Sequence, residues 1–405
     1  PQPFHYRFFV IQQDVYNAFA GPAGHIFINS GLIEAMENED ELAGIMAHEI
    51  THVQARHISQ RIERSSRIQW AALAGMVAGI FLGMGGAAEA GNALSMGSVA
   101  ATQSAALAYS RQDEMQADEL GIDTLSRAGY SGAAMLTMLQ KIRDQKWFGP
   151  SEVPSYLMTH PAVDDRLAYL DTWIQGHPDT VALMGRRDNT PFLRFRTRLI
   201  AAYGDPASAL RQMTAAINDA PEDPMALHGY GIALARNNRA EEGMRYVRKA
   251  LQKFPFDAVM LKDLGEIAFM AGQYDAARKA LEGSKGINPD DFETYFLLGR
   301  TWIELGNYSA GAAALKTALE KQPGANRTLY YIGEAYGKAG RTADAHYYLG
   351  RYYHGRGEFK TAAFHLRQVI KHSQDPRQKA EAEEMLSSGR RAAPQTEDKT
   401  DERRR

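Results

Sequence analysis

His48 and His52 stand four residues apart in His48-Glu49-Ile50-Thr51-His52. On a helix that spacing puts both imidazoles on one face, about one turn apart, where they can share a metal ion. Glu49 lies beside them. It is too near His48 to ligate easily alongside it, but it can reach a water at the metal's open position. Hydrolysis at a zinc centre needs three protein donors and one exchangeable site. A third donor is available in Glu114, within Arg111-Gln112-Asp113-Glu114-Met115-Gln116-Ala117-Asp118. Asp118 follows it by four residues and shares its helix face. Glu114 would bind zinc, and Asp118 would hydrogen-bond a ligand histidine and fix its tautomer. Taken separately, the acidic stretch reads as a solvated charged face and the two histidines as surface residues. The apolar run Ala43-Gly44-Ile45-Met46-Ala47 argues instead that the His48–His52 helix is buried. His57, five residues after His52, falls off the metal face and reads as a surface residue.

The elements that must carry these residues can be sketched. Phe8–Ile11 and His25–Ile28 are short apolar runs of strand type, separated by the turn signal Gly21-Pro22-Ala23-Gly24. Asn29-Ser30 offers a cap for a helix from about Gly31. Leu42, Ile45, Met46, Glu49, Ile50 and Val53 recur at helical spacing and predict a helix over 40–62. Another is expected from about Thr102 to Ala128, carrying Glu114 and Asp118. Residues 147–160 read as loop, with Gly149-Pro150 and Pro154, and helix resumes after His160-Pro161. A His before Pro is ordinarily a loop residue or a helix start, with Pro161 at the first helical position. Residues 71–88 are apolar, uncharged and rich in Gly and Ala. The helix-forming part is shorter than the ~18–20 residues that span a bilayer. A buried or interfacial hairpin is therefore favoured, with peripheral membrane contact as the alternative.

The C-terminal half is periodic. Pro221, Pro255, Pro289 and Pro323 follow one another at 34 residues, the tetratricopeptide period. Gly231, Gly265, Gly299 and Gly333 keep the same phase. So do Asn238, Gly272, Gly306 and Gly340 at the turn between the paired helices, with Tyr274 and Tyr308 two residues on. After Tyr348 the register slips. Gly357-Glu358-Phe359 with Ala362 repeats the turn signature early, so one helix serves two repeats. An earlier, weaker repeat over 191–221 brings the count to about five. The tyrosines of this half read mostly as packing between helices, with a few lining a concave groove.

At this point the chain resembles a known family. His48–His52 with Glu114 and Asp118 is the signature of gluzincin metallopeptidases of the HtpX and BepA type. Asn17-Ala18-Phe19-Ala20-Gly21-Pro22 through Ile26–Leu32 matches that family's strand pair, and Thr159-His160-Pro161 with Arg166 matches a motif after the zinc helix. The likeness covers roughly residues 15–170. It implies that His160 lies near the zinc, either stabilising the tetrahedral oxyanion or filling the open site as a fourth ligand that holds the enzyme inactive. Arg166 is a second candidate for the oxyanion role. The added repeats look like those of a periplasmic member acting in outer-membrane protein assembly and quality control.

The expected fold is mainly α: a gluzincin peptidase domain of helices with a small β-sheet over 1–180, a tetratricopeptide α-solenoid over 181–386, and a charged, disordered tail over 387–405. With 405 residues, more than one domain is the prior. A net charge of −2 gives no electrostatic reason to expect nucleic acid as a partner. The absence of cysteine excludes disulfides, thiol catalysis and thiolate-bound metal, so any metal sits on His and carboxylate donors. The chain starts at Pro1 without an initiator Met or a basic-then-apolar leader, as either a mature form after signal removal or an excised piece of a longer chain would. The expected function is a periplasmic endopeptidase with one zinc ion per chain, associated with the outer membrane in one reading. Protein and peptide substrates would be delivered by the repeats, in contact with the outer-membrane assembly machinery as the resemblance implies. The strand at Gly24–Ile28, if it is an edge, would pair with an extended substrate. The alternative is a chaperone-like scaffold with a usually quiescent protease site.

Overall fold

The computed structural model of the protein describes residues 5–59, 110–144 and 155–392; the apolar segment 71–88 lies outside them. No helix among the described residues is long and apolar enough to cross a membrane. Among those residues the chain forms two compact units that part between Asn238 and Arg239.

The first unit opens on a three-stranded sheet. Strand β1 (Arg7–Ile11) pairs in parallel with β3 (His25–Asn29), and β2 (Ala18–Ala20) pairs antiparallel to it. The order β1-β3-β2 makes β3 the central strand, so the Gly24–Ile28 strand read as a substrate-pairing edge is hydrogen-bonded on both sides. Its composition agrees: Ile26, Phe27 and Ile28 are all buried, as a strand covered on both faces requires. The edge strand nearest the site is β2. Helix α1 (Ser30–Ala35) follows directly. It starts at Ser30, and the Asn29 side chain bonds Gln13 rather than capping the helix.

Helix α2 (Glu39–Gln54) is capped by Asn38, whose Oδ1 accepts the Glu41 amide at 3.0 Å. The helix expected over 40–62 is broken after Gln54, because Ala55 closes it and Arg56 turns the backbone into the left-handed region at φ 59°; residues 57–59 are helical again, and 60–62 lie outside the described residues. Helix α3 (Arg111–Arg127) begins with a capping box in which Ser110 and Asp113 exchange side-chain and backbone hydrogen bonds, both 3.1 Å. Helix α4 (Ala133–Asp144) follows, then α5 (Ser155–Thr159), α6 (Val163–Gly176) and the short α7 (Pro178–Val181). Two corrections arise here. Residues 155–159, expected as loop, are helical. Pro161 lies outside α6, since Ala162 at φ 62° is the residue that turns the chain into it.

These elements close on one core that includes Ile26, Leu32, Met36, Ile45, Ile122, Met138 and Tyr156. Phe192 and Leu199 of α8 (Thr190–Tyr203) enter the same core, and Arg196 donates to the Glu34 carbonyl. Packing and periodicity therefore draw the line in different places. The repeat pattern begins near 191, while α8, α9 (Pro206–Asp219) and α10 (Pro224–Arg236) fold with the first unit.

The second unit is a run of helices: α11 (Ala240–Lys253), α12 (Ala258–Met270), α13 (Tyr274–Ile287), α14 (Phe292–Glu304), α15 (Tyr308–Lys321), α16 (Asn326–Lys338), α17 (Thr342–Gly355), α18 (Phe359–His372) and α19 (Pro376–Ala392). The periodic residues account for its regularity. Asp257 and Asp291 cap α12 and α14 as Asp223 caps α10, and Ala325 stands at the fourth such position without a cap. Gly272, Gly306, Gly340 and Gly357 turn the chain at φ 71° to 77°. A Cβ on Gly265, Gly299, Gly333 or Gly350 would come within 2.5 to 2.8 Å of Leu281, Leu315, Leu349 or Leu366 respectively. Gly333 thus receives Leu349 of α17, while Gly350, on α17 itself, receives Leu366 of α18. Helix α17 is second in one pair and first in the next, which is the slip seen after Tyr348. Helix α19 runs to Ala392, into the segment read as a charged tail, because Gly389 seats against Phe359 and Ser388 bonds His354 at 3.1 Å.

Candidate metal centre

Four elements bring the site together. Helix α2 carries His48, Glu49 and His52; α3, packed along it, carries Glu114 and Asp118. The two helices approach closely at Gly121, where a Cβ would lie 3.4 Å from the His48 backbone. His160 follows α5, its ring stacked on Tyr156 with centroids 4.3 Å apart. Arg166 comes from the first turns of α6. His48, Glu49, His52, Glu114, Asp118 and His160 are each at most 1% exposed.

One ligand atom from each of His48, His52, Glu114 and His160 lies within 4.8 Å of all the others. The Nε2 atoms of His48 and His52 face each other at 3.0 Å. His160 Nδ1 is 3.3 Å from His48 Nε2 and 3.1 Å from Glu114 Oε1. On its far side, His160 Nε2 contacts the Ala18 carbonyl of β2 at 3.3 Å. The Glu49 carboxylate sits beside this group, 3.5 Å from His160 Nε2, and neither of its buried oxygens has a hydrogen-bond partner.

Each α2 histidine is held by its other nitrogen. His48 Nδ1 bonds Asp118 Oδ1 at 2.8 Å. His52 Nδ1 meets His57 Nδ1 at 3.0 Å, and His57 Nε2 meets Gln116 Oε1 at 2.8 Å. An amide oxygen only accepts, so a neutral imidazole at His57 would carry its proton on Nε2 and offer Nδ1 as acceptor. His52 must then donate from Nδ1, leaving the Nε2 lone pair pointing at the cluster. His57 is 1% exposed, not a surface residue. The helical-face argument failed for it because α2 has already ended, and the turn at Arg56 folds His57 back onto His52. Gln116 and the role of His57 were missed from the sequence. The only signal available was the position of Gln116 on the Glu114–Asp118 helix.

Arg166 also sits differently from the oxyanion donor envisaged. Its Nε and NH2 reach the two oxygens of Asp118 at 2.7 and 2.9 Å, and NH1 lies 2.7 Å from Glu114 Oε2. The guanidinium is turned to the α3 carboxylates Asp118 and Glu114. The electrostatics follow from these contacts. Burial opposes ionisation of Glu114, yet His160, Arg166 and His48 hold it well below the usual carboxylate range. Burial likewise opposes ionisation of Asp118, and Arg166 with His48 outweighs it. Burial raises the Glu49 carboxyl, offset in part by His160 and His48. Burial and Arg166 disfavour a proton on His48, but its bonds to Asp118 and Glu114 carry it up to about 9. A dication would take the place of that proton. Three inward imidazole nitrogens, one carboxylate and an unpartnered Glu49 fit a divalent metal.

The sequence comparisons agree with this geometry. Residues 1–174 match the model of peptidase family M48, and residues 202–258 and 268–331 match tetratricopeptide repeat models. The fold and site thus define a class: residues 1–174 carry a metallopeptidase domain that matches peptidase family M48, followed by tetratricopeptide repeats. Among curated relatives, the chain is 29% identical over 354 residues to the beta-barrel assembly-enhancing protease of Escherichia coli, covering 86% of this chain. It is 30% identical over 355 residues to the protein of the same name from Yersinia pestis. The chain spans 64% of the length of each. The mitochondrial metalloendopeptidase OMA1 of Arabidopsis thaliana is 30% identical over 156 residues, 38% of this chain and 28% of that one.

Proposed function

We propose that this chain is a zinc-dependent endopeptidase of the bacterial envelope, with one zinc ion held by His48, His52 and Glu114 and with His160 as a fourth donor at rest. The observation that carries the reading is the convergence of four buried donors on one point, with the unpartnered Glu49 carboxylate beside it. When bound, zinc supplies Lewis acidity, polarising the scissile carbonyl and bringing a water's pKa to about 7. Glu49 takes the proton of the attacking water at a carboxylate oxygen and passes it to the leaving amine. Asp118 and His57 hold the two α2 imidazoles with Nε2 inward, and Arg166 holds Asp118 and Glu114 in place. Substrate would pair as an extended strand with β2, whose Ala18 carbonyl already touches His160. His160 would have to swing aside to admit it.

The proposed domains are a peptidase domain over 1–180 and a repeat domain from 181 through the helix that ends at Ala392. The substrates are misfolded or stalled outer-membrane proteins, with the repeats binding protein partners of the assembly machinery. The location is the periplasm, in association with the outer membrane. The names of the Escherichia coli and Yersinia pestis relatives support this assignment. A second reading, a scaffold with a usually quiescent protease site, is favoured by the same His160 contacts that complete the donor set. Peripheral membrane contact through 71–88 concerns residues outside those described. Glu49→Gln should keep one zinc per chain and lose peptide cleavage by at least about a hundredfold. Cleavage at the wild-type rate by that variant would sink the assignment of Glu49.

A further inference from the structure

The first helices of three successive pairs, α12, α14 and α16, share a strip of aromatic rings that carries two arginines. The Arg300 guanidinium lies 4.6 Å from the Phe269 ring centroid, 5.9 Å from Phe296 and 4.9 Å from Tyr331. Arg327 lies over two of the same rings, 6.0 Å from Phe296 and 5.5 Å from Tyr331, and donates to the Tyr331 hydroxyl at 3.1 Å. Phe296 and Tyr331 pack edge to face at 5.5 Å, and Tyr330, 40% exposed, extends the strip. Two like charges are thus held over one pair of rings.

Neither guanidinium has a carboxylate within ion-pair distance among the described residues. Two acids on the same helices are engaged elsewhere: Glu293 pairs with Lys262, and Glu334 pairs with Lys338 at 2.9 Å. Elsewhere in the same unit Arg239, Arg278 and Arg341 each have an acidic neighbour at 2.8 Å. Ring stacking covers the flat face of a guanidinium and leaves its N–H edge to form a two-pronged bond with a carboxylate. We propose that this strip binds an extended polypeptide segment carrying carboxylates interleaved with apolar or aromatic side chains. Helices pack about 8–10 Å apart, so a strand crossing α12 to α16 needs about six residues at ~3.3 Å each. An anionic lipid surface is the less favoured partner, because polybasic membrane sites use about 4–8 unpaired cations and this strip has two.

The inference deepens the proposed partner-binding role of the repeats by naming the chemistry they select. Binding is read directly in a Glu49→Gln background, so failure of the peptidase reading leaves the result interpretable. The probe is a fluorescein-labelled octapeptide alternating Asp with Phe or Leu, compared by anisotropy with its Asn counterpart. The Asp peptide should bind at least about tenfold tighter, weaken with salt, and lose that preference in R300Q/R327Q. Should that variant fail to match the parent's unfolding curve, R300K/R327K provides the second reading. It keeps the charges, and should retain a preference for Asp at several-fold lower affinity. Equal binding of both peptides, or a preference untouched by R300Q/R327Q, overturns the proposal. So does a lysine variant with no Asp preference while folded. Binding of anionic phospholipid vesicles that disappears in R300Q/R327Q, with peptide binding unchanged, would give the strip to membranes instead.

Discussion

The metal centre and the repeat array place charged groups by opposite means. In the array the capped and paired charges are settled locally: Asp257 caps α12, Asp291 caps α14, and Lys338 meets Glu334 one turn away. At the metal centre, His48, Glu114, His160 and Arg166 come from four separate elements and are buried together. Each is held by another of the set. A change in the array should therefore be felt within one or two helices, and a change at the centre should be felt by the whole site.

The largest effect is expected at Arg166. Removing its guanidinium in Arg166→Leu leaves Asp118 and Glu114 buried without their cation, at a cost of ~3–5 kcal/mol. Denaturant unfolding of parent and variant would check this, and a loss under about 1 kcal/mol would mean the centre is less coupled than described. His57→Ala frees the His52 ring and should weaken zinc affinity about 10–100-fold. Competition with a chelator measures it, and unchanged affinity would remove the His57–Gln116 relay from the account.

The array should respond more mildly. Burial would raise the Asp291 carboxyl, but its bonds to Thr294 and the nearby Lys262 hold it below its ordinary 3.8. A folded value below the unfolded one adds stability that is present above 3.8 and is lost as pH falls through the folded value. Asp291→Ala should cost about 1 kcal/mol at neutral pH, and the gap from the parent should narrow near pH ~3. A gap independent of pH would show that the lost contact is not the carboxylate. The smallest effect is a gain. Ala325→Asp supplies the missing fourth cap and should stabilise by ~0.5–1 kcal/mol, read as a raised unfolding midpoint. No gain would mean that α16 draws nothing from its cap position.

The comparison also accounts for what could be read in advance. The repeats were legible because their contacts recur at a fixed interval: glycines receive leucines on the next helix, and the Gly357 turn betrayed the slip at α17. His48 and His52 were legible because one helix brings them together, and Glu114 with Asp118 for the same reason. Contacts between elements were harder. Nothing along the chain says that β3 lies between β1 and β2, so whether Gly24–Ile28 is an edge is not legible in the sequence. His57 was misplaced because the periodicity of α2 does not announce that Arg56 breaks it. The sequence offers Arg166 only as a candidate for the oxyanion role because its partners Asp118 and Glu114 lie 48 and 52 residues away on α3.

The account rests on four protein donors meeting one zinc. X-ray absorption at the zinc edge of the purified, zinc-loaded chain counts them directly. The prediction is one zinc per chain with three imidazoles and one carboxylate oxygen. Two imidazoles with solvent oxygen would remove His160 from the resting site, and a spectrum with no imidazole signature would contradict the centre altogether.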